Sequence, residues 1–350
     1  PQLIMTLLDK SMIDSTDVGG RQRFRMLEPL REFAADELRE SGETQRYRDR
    51  HAAFYLALAQ RESERFFSPA EPDVWRVLDV EWSNFRTALD TFERAGDLDS
   101  GADLVIALVW FAAMSMRFEL FGWAAELLDA PGVERQPRFT DVCGAVAVGS
   151  YFTLDGDVTE RAEIGLAADP SDPEGLCRCA LALVFLNNEH TAEASDAVTS
   201  AWLASAPGAI GSRLWAHGFR VFHLCIHDPG PEMAEQAAAV TSLADESGSV
   251  TARAIAAWAN GQVESFVDLD QGMQTWRNGR EWAASLPSEH VADQMLVGLL
   301  LHVTARRGDV KDTLVGCRDA LRGALDLHYY AAVSHLFGVT AIALSRAGDA

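Results

Sequence analysis

From about residue 100 onward the sequence is punctuated at nearly constant intervals. Breaks near Arg117, Gly156, Asn188, Pro229, Leu269, Gly308 and Gly348 are separated by 39, 32, 41, 40, 39 and 40 residues. Each break follows an apolar stretch with helical spacing, and all but the last precede an amphipathic one. The pattern predicts first helices over residues 104–114, 140–152, 175–186, 212–226, 251–266, 291–305 and 329–345. Their partners are predicted over 121–128, 159–167, 192–203, 233–243, 272–284 and 310–325.

A helix pair cannot cover its own apolar face, so such units fold only by stacking on one another. Two helices per roughly 40 residues predict an all-α chain built as a right-handed tetratricopeptide-like α-solenoid, somewhat longer per unit than the usual repeat of about 34. Small residues at Ala145, Gly149, Ala180, Ala182, Ala256, Ala257, Gly338 and Ala341 would let neighbouring helices approach closely. The strict tetratricopeptide consensus is absent. The last period stops at a turn after 329–345, which leaves that helix uncapped and predicts further protein beyond it.

Ahead of the periodic region the pattern changes. Arg21, Arg23 and Arg25 alternate with Gln22, Phe24 and Met26, the period of a strand with an arginine-bearing wet face and a core face. Residues 2–12 read as a short helix, and 14–20 as the turn of a β-hairpin with Gly19 and Gly20 at its tip. Pro29 suits the first turn of a helix that carries Leu30, Phe33, Ala34 and Leu38, and Gly42 is placed to close it in a left-handed cap. A second helix is expected to bury Tyr47, Phe54, Tyr55 and Leu58 along one stripe. Beyond Pro69 and Pro72, six residues (Trp75, Leu78, Trp82, Phe85, Leu89 and Phe92) form an apolar seam that ends near Gly96 and must be covered by neighbours. The resulting division is 1–66 for a partial winged helix with its connecting helices, 67–100 for a bracket helix and 101–350 for the repeats.

Helix, arginine-bearing hairpin and helix pair, in that order, resemble the C-terminal half of the winged-helix module in signal-transduction ATPases with numerous domains. The similarity is to the branch of this STAND class that holds AfsR-like and large LuxR-type transcriptional regulators of actinobacteria. It is carried by Leu8-Asp9-Lys10-Ser11-Met12, by RFRMLEPLREFA at 23–34 and by RHAAFYLALA at 50–59. It covers roughly the first 60 residues, and Pro29 departs from the threonine usual in the family. The resemblance implies a non-enzymatic sensor segment whose winged helix docks on an upstream nucleotide-binding domain. ATP would sit on that domain, with no cofactor in this chain, and the solenoid would receive a protein or small-molecule effector. A DNA-reading domain often lies at one end of such proteins.

Charge bears on the same question. The formal net charge is −22, of which −1 falls on residues 1–66 and −21 on the remainder. An acidic body of this kind repels nucleic acid, so any DNA contact would come from the N-terminal piece. There Arg21, Arg23 and Arg25 could grip phosphates or dock on another domain, and the near-neutral local charge favours docking. The longest apolar run, 104–114, is far shorter than the roughly 18 residues of a membrane span. Five cysteines, an odd number set in apolar helices, suit reduced thiols in a cytoplasm. Pro1 is not an initiator, which suggests a segment of a longer protein.

Candidate chemical sites are sparse. No GxxxxGK loop occurs, and the two lysines, Lys10 and Lys311, lie outside glycine-rich turns, so nucleotide hydrolysis is not expected from this chain. His223 and His227 stand one helical turn apart and could share a metal, or could simply belong to a repeat helix with His227 favoured near its C-terminus. Cys177 and Cys179 diverge on a helix and read as buried thiols. Asp155, Asp157, Asp268 and Asp270 resemble pieces of calcium loops without the full ligand spacing, and read as repeat turns. Trp110, Trp123, Trp202, Trp215, Trp258, Trp276 and Trp282 either fill the core or line a groove. No catalytic, cofactor or metal site is predicted, and a constitutive protein-binding adaptor is the alternative to a sensor.

Overall fold

A computed structural model describes residues 2–18, 21–187, 191–205, 210–286 and 290–348. The side chains of Val18, Arg21, Leu186, Asn187 and Ser205 lie outside that description, as do the predicted hairpin tip at Gly19-Gly20 and the predicted break at Asn188.

The chain opens with α1 (Gln2–Asp9), which stops short of the predicted residue 12. The reason is local: Ser11 takes a left-handed φ of +54°, and the Met12 amide donates back to the Leu7 carbonyl at 2.9 Å, a motif that closes a helix. Strands β1 (Ile13–Val18) and β2 (Arg21–Met26) pair antiparallel with Thr16 opposite Arg23 and Asp14 opposite Arg25. Residues 14–18 are therefore strand rather than turn. Next come α2 (Glu28–Glu40) and α3 (Thr44–Phe66), separated by Gly42 at φ +74°, the predicted left-handed cap.

Helix α4 (Glu71–Ala95) carries the predicted seam. All six of its members are buried, with Trp82 and Phe92 the most exposed at 8%. Trp75 lies against Phe66 of α3 with ring centroids 5.7 Å apart, and Trp82 stacks on Trp123 at 5.0 Å. Each such side chain contributes about 1.5–3 kcal/mol by leaving water.

The predicted helix pairs follow. They are α5 (Leu98–Met114) with α6 (Glu119–Leu128), α7 (Phe139–Thr153) with α8 (Val158–Ala168), and α9 (Leu176–Asn187) with α10 (Ala192–Ser205). Beyond these lie α11 (Ile210–His227) with α12 (Pro231–Ser247), α13 (Val250–Ser265) with α14 (Leu269–Ala283), α15 (Val291–Arg307) with α16 (Val310–Asp326), and α17 (Tyr330–Ala347). Helix α5 starts well before residue 104 because Asp97 caps it, accepting from the Ser100 amide at 3.1 Å. Gly149 of α7 permits the close approach of α6, since a Cβ there would collide with the Phe121 side chain. Each odd-numbered helix from α5 to α17 packs on the next odd-numbered one, and the row bends until α15 also touches α5 and α17 touches α7. Tyr329 seals that closure against Phe118 (5.8 Å) and Phe152 (5.4 Å). Among the described residues no helix is long and apolar enough to cross a membrane.

Two expectations for the N-terminal piece are corrected. Tyr47 and Phe54 are 46% and 60% exposed, because α4 and α5 cover only the face of α3 that holds Ala52, Leu58, Ala59 and Phe66. On β2 it is Arg23 that turns inward, toward α4, while Phe24 of the supposed core face is 42% exposed. The same openness runs through α1 and α2, neither of which has a buried residue.

Candidate functional site

Because the odd-numbered helices close on themselves, their inner faces enclose a half-open cavity of about 160 Å³. Helices α5, α7, α9, α11, α13, α15 and α17 all reach it. Trp110 and Met114 come from α5, Tyr151 and Phe152 from α7, Trp215 and Phe219 from α11, and Trp258 from α13. Gln294 and Met295 of α15 and His335 of α17 complete the wall, with Tyr329 just ahead of α17. Among the described residues no Asp, Glu, Lys or Arg lines it. Burial pushes the Tyr151 and Tyr329 hydroxyls up and the His335 imidazole down, so all three are neutral at pH 7. The indole N–H groups of Trp110 and Trp215 are buried and have no acceptor among the described residues. An unmet buried donor costs about 1–3 kcal/mol, so these two groups gain from any acceptor that reaches them.

A second polar cluster lies behind the cavity wall. Glu71, at the start of α4, is fully buried and accepts from the Ser249 hydroxyl (2.7 Å) and the Thr251 amide (3.0 Å). The Thr251 hydroxyl also donates to Glu71. Thr251 Oγ1 lies 2.8 Å from His290 Nε2, and His290 Nδ1 accepts from the Ala292 amide at 2.9 Å. Since Nδ1 is an acceptor, the proton of neutral His290 sits on Nε2, and the bonds run from His290 to Thr251 to Glu71. Burial pulls the His290 pKa down to about 3 and pushes the Glu71 carboxyl up, the donors opposing the latter shift. His290 also stacks on Trp75 at 5.4 Å and immediately precedes Val291, which lines the cavity. The bracket helix is thereby tied to the starts of α13 and α15.

From the other side of α4, Glu81 receives Arg23 of β2 through two bonds, at 2.6 and 3.3 Å, together with the Tyr55 hydroxyl (3.2 Å) and the Asn84 amide (2.6 Å). Burial, with Glu81 beside it, pushes the Tyr55 hydroxyl up to about 12. Of the three arginines singled out in the sequence, Arg23 is therefore engaged within the chain and Arg25 is exposed, while the Arg21 side chain lies outside the description.

The other sequence candidates are spread over the fold. The His223 and His227 rings are 4.9 Å apart. His223 is buried, with Nδ1 bonded to Ser195 at 2.9 Å, Nε2 3.7 Å from Asp196, and a pKa lowered by burial and by Arg220. Among the described residues no three His, Cys, Asp or Glu gather as a metal-ligand set. Cys177 and Cys179 are free and buried. Asp157 and Asp268 cap α8 and α14 by accepting from the amides of Glu160 (2.9 Å) and Asp270 (2.9 Å). Trp110, Trp215 and Trp258 line the cavity, Trp123, Trp202 and Trp276 are buried in the core, and Trp282 is 43% exposed. The cavity itself and the Glu71–His290 link have no local signature. The only hint was polar residues, Ser249, Thr251 and His290, at the starts of apolar helices.

Fold and cavity define an all-helical chain with one small hairpin and an uncharged internal site. The chain is similar to proteins provisionally named HTH-type transcriptional regulators, Rv0890c and MT0914 of Mycobacterium tuberculosis and Mb0914c of Mycobacterium bovis. Identity to each is 31% over 205 residues, which is 54% of this chain and 22% of the relative. The matched region thus spans about a fifth of the length of these curated relatives. No protein-family model matches the chain, and no solved structure matches it.

Proposed function

We propose that this chain is the non-enzymatic regulatory portion of a multidomain, ATPase-type transcriptional regulator of the STAND class. In this reading residues 1–66 are the C-terminal half of a winged helix, 67–100 a bracket and 101–350 a right-handed tetratricopeptide-like solenoid that receives an effector. The distant likeness to proteins named as transcriptional regulators supports the regulatory role. The observation that carries the coupling is the uncovered apolar surface at the N-terminus. Leu3, Met5, Phe33 and Phe54 are 73%, 57%, 62% and 60% exposed, whereas the seam of α4 is sealed. Large apolar side chains left in water on α1, α2 and α3 suit an interaction surface, and an upstream nucleotide-binding domain is the partner that the family resemblance supplies.

A packed route joins the hairpin to the cavity. Val291 leads to His290, His290 through Thr251 to Glu71 and by stacking to Trp75, and α4 carries Glu81 to Arg23 on β2. An effector shifts the regulator only if it binds two arrangements of this route unequally. Because Arg23 is held by Glu81, the reading does not need this chain to touch DNA.

The test is the ATP hydrolysis rate of the full regulator with Glu81 intact and with Glu81→Ala, which frees Arg23. A several-fold change in rate with unchanged folding is expected. Identical rates in the two proteins, and an unchanged rate when residues 98–348 are deleted, would remove the basis for coupling.

A further inference from the structure

We infer that the central cavity is the binding site for a small, neutral, ring-containing molecule of one to two fused rings that carries a hydrogen-bond acceptor. This takes the proposed receiving role of the helical array one step further, by naming the chemistry of what it receives. Three observations converge on it. First, size: the cavity, about 160 Å³, is comparable to the roughly 150 Å³ apolar space that accommodates one benzene ring, and its half-open mouth leaves room for a second. Second, charge: among the described residues no ionised side chain lines the wall, and an unpaired charge brought into such a site loses its hydration without compensation. Third, polarity: Trp110 and Trp215 lie on the wall, Trp215 is 4% exposed, and the indole N–H of each is buried with no acceptor among the described residues. The rings of Trp215, Phe219 and Trp258 offer flat apolar faces of the kind on which a ring stacks, with Phe219 and Trp258 edge to face at 5.9 Å.

A protein segment is a poorer occupant. Every residue of a peptide brings an amide N–H and a carbonyl that must be satisfied, and beyond the two indoles the polar side chains of the described wall are few, Tyr151, Cys179, Gln294, Tyr329 and His335. A small acceptor-bearing ring brings no backbone donor that must be met.

The test is equilibrium dialysis of this chain against three probes of similar shape. Coumarin is neutral with a carbonyl acceptor, naphthalene lacks the acceptor, and coumarin-3-carboxylate adds a charge. The expected order is coumarin tightest, naphthalene about five- to tenfold weaker, the worth of one neutral hydrogen bond, and the carboxylate at least tenfold weaker than coumarin. Trp215→Phe keeps a ring and removes the donor, so it should bring coumarin close to naphthalene. Ala332→Phe, which fills the cavity from α17, should abolish binding of both. Ala113→Phe from α5 serves the same purpose if circular dichroism shows the first variant unfolded. Failure of coumarin to bind up to its solubility, carboxylate binding as tight as coumarin, or undiminished binding in a folded cavity-filled variant would overturn the inference. None of these outcomes involves ATP hydrolysis or transcription, so each leaves the regulatory reading to its own test.

Discussion

Replacing His290 by Asn should make the stability of the chain respond differently to acid. His290 is 2% exposed and stacks on Trp75, and among the described residues its ring is bonded to the Ala292 amide and the Thr251 hydroxyl, with Glu71 beyond. Burial holds its pKa at about 3 against an ordinary value of 6.5. A histidine with a depressed folded-state pKa contributes its stability in full above 6.5 and loses it as pH falls from 6.5 toward 3, because only the unfolded chain takes up the proton. At about 1.4 kcal/mol per pH unit, the loss between pH 7 and pH 4.5 is on the order of 2–3 kcal/mol. Asparagine can still accept from the Ala292 amide as an N-cap but does not titrate. Urea unfolding at both pH values measures the difference between wild type and His290→Asn. Groups common to both proteins cancel, among them Asp141, whose carboxyl burial pushes up to about 6, and Glu71, whose raised pKa acts with the opposite sign. The wild-type advantage should shrink by roughly 2–3 kcal/mol between pH 7 and 4.5. An advantage that stays constant would mean that His290 protonates in place, and the buried link would be wrong.

Three other outcomes follow from the packing. Gly149→Ala puts a methyl group into the Phe121 side chain and should lower the unfolding free energy by at least 1–3 kcal/mol, the usual cost of overpacking; a neutral effect in denaturant titration would show that α6 and α7 are farther apart. Burial pushes the Cys143 thiol up to about 11 and that of Cys177 higher still, so both should react with a thiol reagent only after unfolding, and rapid modification of either in the native chain would contradict their placement. Fluorescence anisotropy with random duplex DNA at about 50 mM salt, where phosphate contacts are strong, should show no binding; salt-sensitive binding lost in Arg25→Ala would make β2 a DNA contact.

Periodicity carried most of the architecture. Helices α7 and α9 to α17 lie within a few residues of their predicted positions because each has an apolar face at helical spacing and a break at each end. What the period cannot encode is the bend of the row. That bend brings α17 onto α7 and gathers residues from Val109 to His335 around one cavity. The tie between Glu71 and Thr251 spans 180 residues, and nothing near either residue marks the other. Tyr47, Phe54 and Phe24 misled for a different reason. Apolar residues at the correct spacing show which face seeks cover, and here nothing within the described chain covers them. Trp110, Trp215 and Trp258 belong to the inner row, so core and groove merge for them: each packs against its neighbours while also walling the cavity.

The most direct test of the regulatory role is transcription from the target promoter of the full regulator, compared with and without residues 98–348. If this segment governs the regulator, its removal should change basal output several-fold and abolish any response to the inducing condition. The same output and the same response in its absence would contradict the proposal.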